Sequence, residues 1–128
     1  MRLLLDTQAF LWFVSGDRKL TRPARRRIED ARNDKFLSIA SVWEMAIKVE
    51  LGKLRIDVPM SQLVETGAVD NGLALLPIEP AHAIGLATLE RHHGDPFDRM
   101  LIVQARHEDM AIVGADEQFD AYGVRRIW

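Results

Sequence analysis

Four acids, Asp6, Glu44, Asp98 and Asp116, are the side chains of this sequence whose type and placement fit a shared chemistry. Drawn together, they would line a pocket with oxygen and almost nothing else. Two carboxylates about 4 Å apart repel by about 4 kcal/mol at an effective dielectric of about 20. Without counter-charge they take up protons or move apart. A hard divalent cation relieves the repulsion, and an all-oxygen donor set selects Mg²⁺ or Mn²⁺ over zinc. Such ions suit phosphodiester hydrolysis, because they lower the pKa of a bound water, orient it in line with phosphorus and stabilise the leaving oxygen. No protein nucleophile is then needed. The histidines His82, His92, His93 and His107 lack the ligand spacing of zinc enzymes and receive no catalytic role.

Taken singly, each acid has a simpler explanation. Asp6 and Asp116 could cap the helical turns that follow them. Asp98 sits in a first helical turn, where an acid meets the helix dipole favourably. Glu44 and Lys48 are spaced i, i+4, which an ordinary surface ion pair would explain. What singles the acids out is their joint placement relative to the strands.

Those strands follow from two alternating periods. Leu3 to Leu5 is a short apolar run that suits a buried strand, and Thr7 to Val14 is helix-like up to the turn Ser15-Gly16-Asp17. Thr21 and Pro23 start a second helix that is expected to reach Arg32 or Asn33. Phe36-Leu37 is a second strand, followed by a helix capped by Ser38, running through Leu51 and closed by Gly52. Ile39, Val42, Trp43, Ala46 and Ile47 are its expected core face. Pro59 to Asp70 and Pro80 to Arg91 read as helices on either side of a third strand, Leu73 to Leu76. A helix opened by Asp95-Pro96 continues to about Asp109, before a fourth strand, Ala111 to Val113. Val124 to Ile127 is an edge strand.

This alternation implies a parallel α/β sheet with helices on both faces. In such sheets, ligands gather beyond the carboxyl ends of the strands. Asp6 ends the first strand, Asp116 follows the fourth, Asp98 opens the helix leading into the fourth, and Glu44 lies in the helix after the second.

Bulk properties set the remaining bounds. With 128 residues the chain is expected to form one domain, residues 1–128, and without cysteine that domain has no disulfide, thiolate metal site or cysteine nucleophile. A 48% hydrophobic and 28% charged composition is that of a soluble globular protein. The apolar stretch after Met1 is too short for a signal peptide, and no run approaches a membrane span, so a cytoplasmic location is expected. A formal net charge of −2 gives no global attraction to nucleic acid, which leaves phosphate binding to local patches or metal ions.

At this point the residues resemble a family. Leu4-Leu5-Asp6-Thr7, Ser38-Ile39-Ala40-Ser41-Val42-Trp43-Glu44, Asp95-Pro96-Phe97-Asp98-Arg99-Met100-Leu101 and Gly114-Ala115-Asp116 are similar, in order and spacing, to the successive acidic motifs of PIN domains. Phe119-Asp120-Ala121-Tyr122-Gly123-Val124 and Ile127-Trp128 fit the same group, and the strongest likeness is to bacterial VapC-type toxins. Asp-Pro-Phe-Asp-Arg is the most specific piece. The resemblance implies a three-layer α/β/α fold with a parallel sheet of four to five strands, Mg²⁺- or Mn²⁺-dependent cleavage of RNA, and inhibition by a cognate antitoxin. It implies Asp6 and Asp98 as principal metal ligands, with Glu44 and Asp116 completing the site directly or through water. Thr7 would support them by hydrogen bonding, with Asp95 and Arg99 in secondary roles. Asp95, placed before proline, has an equal reading as a turn residue. Arg99 would hold a scissile phosphate or brace the acids.

Two surfaces remain. Arg22, Arg25, Arg26, Arg27 and Arg32 make one helix basic, either to contact RNA phosphates or as a solvated face with Glu29 and Asp30. Phe10, Trp12, Phe13 and Val14 crowd the first helix, a candidate surface for an antitoxin segment or for a homodimer, which the resemblance also implies. Rival α/β classes fit poorly. Acyl-phosphate phosphatases need an acid two residues after the first aspartate, where this chain has Gln8, and receiver domains need adjacent acids at the first strand. The remaining alternative is a PIN-like module that binds RNA or protein without cutting.

Overall fold

The computed structural model describes residues 1–128, and at its centre lies β1 (Arg2–Leu5). Leu3, Leu4 and Leu5 are all fully buried. Successive side chains of a strand point to opposite faces, so a strand buried at every such position is covered on both sides. Leu3 and Leu5 pack with Phe10, Ile28, Leu37 and Met45 on one face. Leu4 packs with Leu101, Ile102, Ile112 and Tyr122 on the other.

Around β1 stand β2 (Asp34–Ser38), β3 (Leu73–Leu76), β4 (Ala111–Val113) and β5 (Arg126–Ile127). All pair in parallel, in the order β3-β2-β1-β4-β5. The chain thus builds outward from β1 to β3, then returns to the other side of β1 to lay down β4 and β5. The strand order reverses between β1 and β4, and that is where an open parallel sheet leaves a crevice at its carboxyl end. The expected α/β/α architecture is present, with five strands.

The helices are α1 (Thr7–Ser15), α2 (Arg22–Glu29), α3 (Ile39–Glu50), α4 (Met60–Gln62), α5 (Pro80–Gly85) and α6 (Pro96–His107). Several depart from expectation for identifiable reasons. α2 stops at Glu29 rather than Arg32 or Asn33, because the Asp30 carboxylate takes the Arg32 backbone N–H at 3.0 Å and turns the chain. After α4 the segment to Asn71 widens into a π turn over Leu63–Ala68 and tightens over Val69–Asn71. There Gly67 lies so close to α1 that a Cβ would meet Val14 at 3.0 Å and Phe10 at 3.3 Å. α5 ends at Gly85, short of the expected Arg91; a Cβ on Gly85 would come within 2.9 Å of Val103 in α6.

The largest correction concerns α3. Ile39 and Trp43, expected in the core, are 38% and 59% exposed, while Ala40, Ser41, Glu44 and Met45 face inward. The helix packs against both α1 and α6, and small residues at positions 40 and 41 permit that approach. Trp43 rests outside, edge-on to Phe97 with ring centroids 5.3 Å apart. No helix is long and apolar enough to cross a membrane.

Candidate active site

Asp6 leaves β1 as the N-cap of α1, with its Oδ1 accepting the Ala9 backbone N–H at 2.7 Å. The capping role is therefore real, and it occupies only one oxygen. Oδ2 lies over the end of β4, where a Cβ at Gly114 would stand 2.6 Å from it. Only glycine leaves room for the carboxylate at the crevice. Across the gap, Asp116 caps the short 3-10 helix Glu117–Tyr122, its Oδ1 accepting the Gln118 N–H at 2.9 Å.

Glu44 is buried at 7% exposure because α3 turns it inward, not outward as a surface ion pair would require. Thr7 Oγ1 donates to its Oε1 at 2.6 Å, and Lys48 Nζ donates to its Oε2 at 2.7 Å. Bonding to Glu44 holds the Lys48 ammonium above its ordinary pKa. Asp98 comes from the first turn of α6, whose N-cap is Asp95; Asp95 Oδ1 accepts from the N–H groups of both Phe97 and Asp98. Asp95 thus fills the turn role while still lining the pocket.

One pocket at the carboxyl end of the sheet is lined by Asp6, Glu44, Asp95, Asp98 and Asp116, with Thr7 beside them. The electrostatic consequences are large. Asp98 is pushed up to about 7, first by burial and then by the charges of Asp95, Asp6, Glu44 and Asp116. Asp6 is pushed up to about 6, again first by burial, with Glu44 and Asp116 adding to it and the Ala9 N–H working against it. Lys48 and Lys53 are the only cationic side chains on the pocket wall.

The donor set is carboxylate and hydroxyl oxygen, the chemistry that suits Mg²⁺ or Mn²⁺. No three acidic or histidine side chains form a ready-made ion cage. Glu44 is engaged by Thr7 and Lys48, and Asp6 and Asp116 each give one oxygen to a helix cap and keep the other. Mg²⁺ commonly takes one or two protein carboxylates and keeps its waters, so the residues fit such an ion.

Other expected participants lie elsewhere. Arg99 neighbours Asp98 in sequence but points away from the pocket and is buried, with Nη1 donating to the Glu90 carbonyl at 2.9 Å and Nη2 to the Leu89 carbonyl at 3.3 Å. It braces the segment before α6, and the phosphate-holding role does not fit this geometry. The arginines of α2 do not line the pocket; Arg25 lies over the Phe13 ring at 5.5 Å and pairs with Glu29. Sequence reasoning passed over His93, whose Nε2 stands 3.6 Å from Asp98 Oδ2. Its position two residues before the Asp95-Pro96 helix start was the only signal available.

Comparison with solved structures finds the same architecture in several VapBC chains. A chain of VapBC2 from Rickettsia felis, bound to a DNA fragment from their promoter, is 10% identical with a TM-score of 0.73, over 98% of this chain and 97% of that one. A chain of DNA-bound VapBC from Salmonella typhimurium is 17% identical with a TM-score of 0.69, over 98% and 96%. VapBC-1 from nontypeable Haemophilus influenzae gives 12% identity and a TM-score of 0.68, over 98% and 96%. At these identities the likeness is one of fold. A comparison with curated proteins finds no match. Residues 3–124 match the PIN domain, and the chain belongs to the PIN domain family.

Proposed function

We propose that this chain is a metal-dependent endoribonuclease, the toxin component of a type II toxin–antitoxin system, acting in the cytoplasm as one PIN unit over residues 1–128. The observation that carries the reading is the pocket at the β1/β4 crevice, where burial and mutual repulsion push Asp6 up to about 6 and Asp98 up to about 7. A cluster held so far from its relaxed charge state is what a hard cation stabilises.

Asp6 and Asp98 would be the principal ligands of Mg²⁺ or Mn²⁺, with Glu44 and Asp116 completing the acidic site directly or through water. The bound ion supplies a water of lowered pKa and charge to stabilise the leaving oxygen. Thr7 fixes the Glu44 carboxylate, and Lys48 balances its charge while keeping it at the pocket wall. Gly114 lets Asp6 Oδ2 face the crevice. Asp95 sets the start of α6 and hence the position of Asp98. The substrate is RNA, whose backbone phosphate would approach the pocket mouth beside Lys53.

The partner is a cognate antitoxin, as the VapBC neighbours support. A groove with Val14, Ile56 and Val58 on its walls runs along α1 and meets the acidic pocket at Gln8, Leu11, Trp12 and Leu54, which border both. An antitoxin segment lying there would reach the site. The chain is read as a homodimer on the VapC-type resemblance.

The test is to incubate antitoxin-free protein with a pool of structured and single-stranded RNAs, under Mn²⁺, Mg²⁺ or EDTA, beside Asp98→Asn. Cleavage that needs the ion and vanishes in the variant is expected. Silence across the pool, with ion binding demonstrated, would leave either a very narrow RNA substrate or a non-catalytic binding module.

A further inference from the structure

His93 and Tyr122 lie outside the acid cluster, yet the hydrogen-bonded pair they form ends 3.6 Å from Asp98. Tyr122 is buried, and its phenolic oxygen receives the backbone N–H groups of His92 and His93, each at 3.1 Å, and Arg99 Nη1 at 3.3 Å. A phenol oxygen has two lone pairs and one proton. With three N–H donors crowding its acceptor side, its own proton must go to an acceptor, and His93 Nδ1 stands 2.8 Å away. Nδ1 therefore accepts, and the neutral imidazole carries its proton on Nε2.

That Nε2 is one of two buried side-chain nitrogen or oxygen atoms in the protein without a hydrogen-bond partner, the other being Ser41 Oγ. It stands 3.6 Å from Asp98 Oδ2, just beyond hydrogen-bond range. The His93 side chain is 10% exposed and held on its far side by Tyr122, whereas Asp98 is 24% exposed and open to the pocket. The carboxylate is the partner with freedom to move. A shift of about a few tenths of an ångström closes the bond to Oδ2 and leaves Oδ1 unclaimed by His93. Arg99, which ties down the carbonyls of Leu89, Glu90 and His93, holds the backbone that carries the imidazole.

We propose that Tyr122 and His93 form a positioning relay for Asp98, in which the tyrosine hydroxyl fixes the imidazole so that Nε2–H holds one carboxylate oxygen and presents the other to the cation. The inference rests on the acidic-site reading above. His93 acts through Asp98 and is a positioning residue, not a catalytic one.

The test uses the full chain and Mn²⁺ alone, with binding read by calorimetry. His93→Leu is expected to weaken Mn²⁺ binding by about tenfold or more, the loss seen when partners that orient metal ligands are removed. His93→Gln, which restores a side-chain N–H, should recover most of it. Long-range ¹H–¹⁵N spectra of the metal-free wild type should show His93 protonated at Nε2 and bare at Nδ1, with the Nε2 proton protected from exchange. A proton on Nδ1, or Mn²⁺ affinity in His93→Leu equal to wild type, would overturn the relay. Asp98→Asn is the control that separates the two claims. If the wild type binds no Mn²⁺, the acidic-site reading fails; if Asp98→Asn abolishes binding and His93→Leu leaves it intact, the relay alone fails. A variant that shifts only the melting temperature and not the Mn²⁺ affinity also counts against it.

Discussion

Two polar clusters lie at the carboxyl ends of neighbouring strands, and they are built on opposite plans. Beyond β2, Ser38, His82 and Gln104 are each fully buried, and every polar contact is answered. Ser38 donates to Gln104 Oε1 at 2.6 Å, and Gln104 Nε2 donates to the Pro77 carbonyl at 3.2 Å. His82 Nδ1 accepts the Glu79 N–H at 3.0 Å, while Nε2 meets Glu108 Oε1 at 3.0 Å. That network ties β2, the end of β3, α5 and α6 into one arrangement. Beyond β1 and β4, by contrast, Asp6 and Asp98 share a pocket with further acids, and both are held toward the neutral form. Both clusters have buried members, but in the second only Asp6 and Glu44 are buried. Asp98 is half-buried, Asp95 and Asp116 are exposed, and like charges face one another. A satisfied network stabilises its surroundings; an unsatisfied one of like charges stores repulsion that a cation relieves, the pattern by which functional sites trade stability for activity.

The contrast can be broken most decisively at Asp98. Asp98→Asn removes a charge that its neighbours oppose, so RNA cleavage should fall by at least about 100-fold, beyond the usual loss for an outer-shell partner. The metal-free melting temperature should not fall. Initial rates and calorimetric melting read the two halves, and a variant that is both active and unstable would reverse the assignment.

Gln104→Leu is the mirror image. It strips the partners of Ser38 and the Pro77 carbonyl and should cost about 1–3 kcal/mol in urea unfolding. Cleavage by the folded variant should stay near wild type. Gly114→Ala probes packing inside the acidic pocket. A Cβ there would stand 2.6 Å from Asp6 Oδ2 and must displace it, so Mn²⁺ affinity and cleavage should both drop by about tenfold. Unchanged affinity would mean that Asp6 Oδ2 is not used.

The smallest effect is in pH. Asp6 and Asp98 stand at about 6 and about 7 in the fold, against 3.8 for an unperturbed aspartate. Between these values the two groups together bind more protons in the folded state than in the unfolded one, so their contribution to stability is most favourable below about pH 4 and declines as pH rises through about 7. The metal-free melting temperature should follow that slope, and saturating Mn²⁺ should flatten it. A melting temperature that rises over the same interval would contradict the shifts.

Much of this contrast was legible in the sequence and part of it was not. The acids could be placed because Leu3 to Leu5 and Ala111 to Val113 are short apolar runs whose ends are marked by Asp6 and Gly114. The inward turn of Glu44 was not readable, because its direction depends on how α3 wedges between α1 and α6. Periodicity alone favoured Ile39 and Trp43, whose exposure follows from that wedge. Arg99 misled for a related reason: adjacent residues on a helix diverge by about 100°, so the neighbour of a pocket acid points elsewhere. The segment after Gly85 had helix-like composition, but Arg99 captures the carbonyls of Leu89 and Glu90. Tyr122 and His93 meet across 29 residues of sequence, and no local pattern announces that contact.

The central claim is that the acidic pocket is a cation site, and titration of Mn²⁺ into antitoxin-free protein tests it most directly. The titration should be run at pH 7 in two buffers of different ionisation enthalpy, for wild type and Asp98→Asn. Binding by the wild type with measurable proton release is expected, because Asp98 stands at about 7 and must release its proton to the buffer when the ion binds. The variant should lose both binding and release. Equal binding in the two proteins, or binding without proton release, would contradict the account.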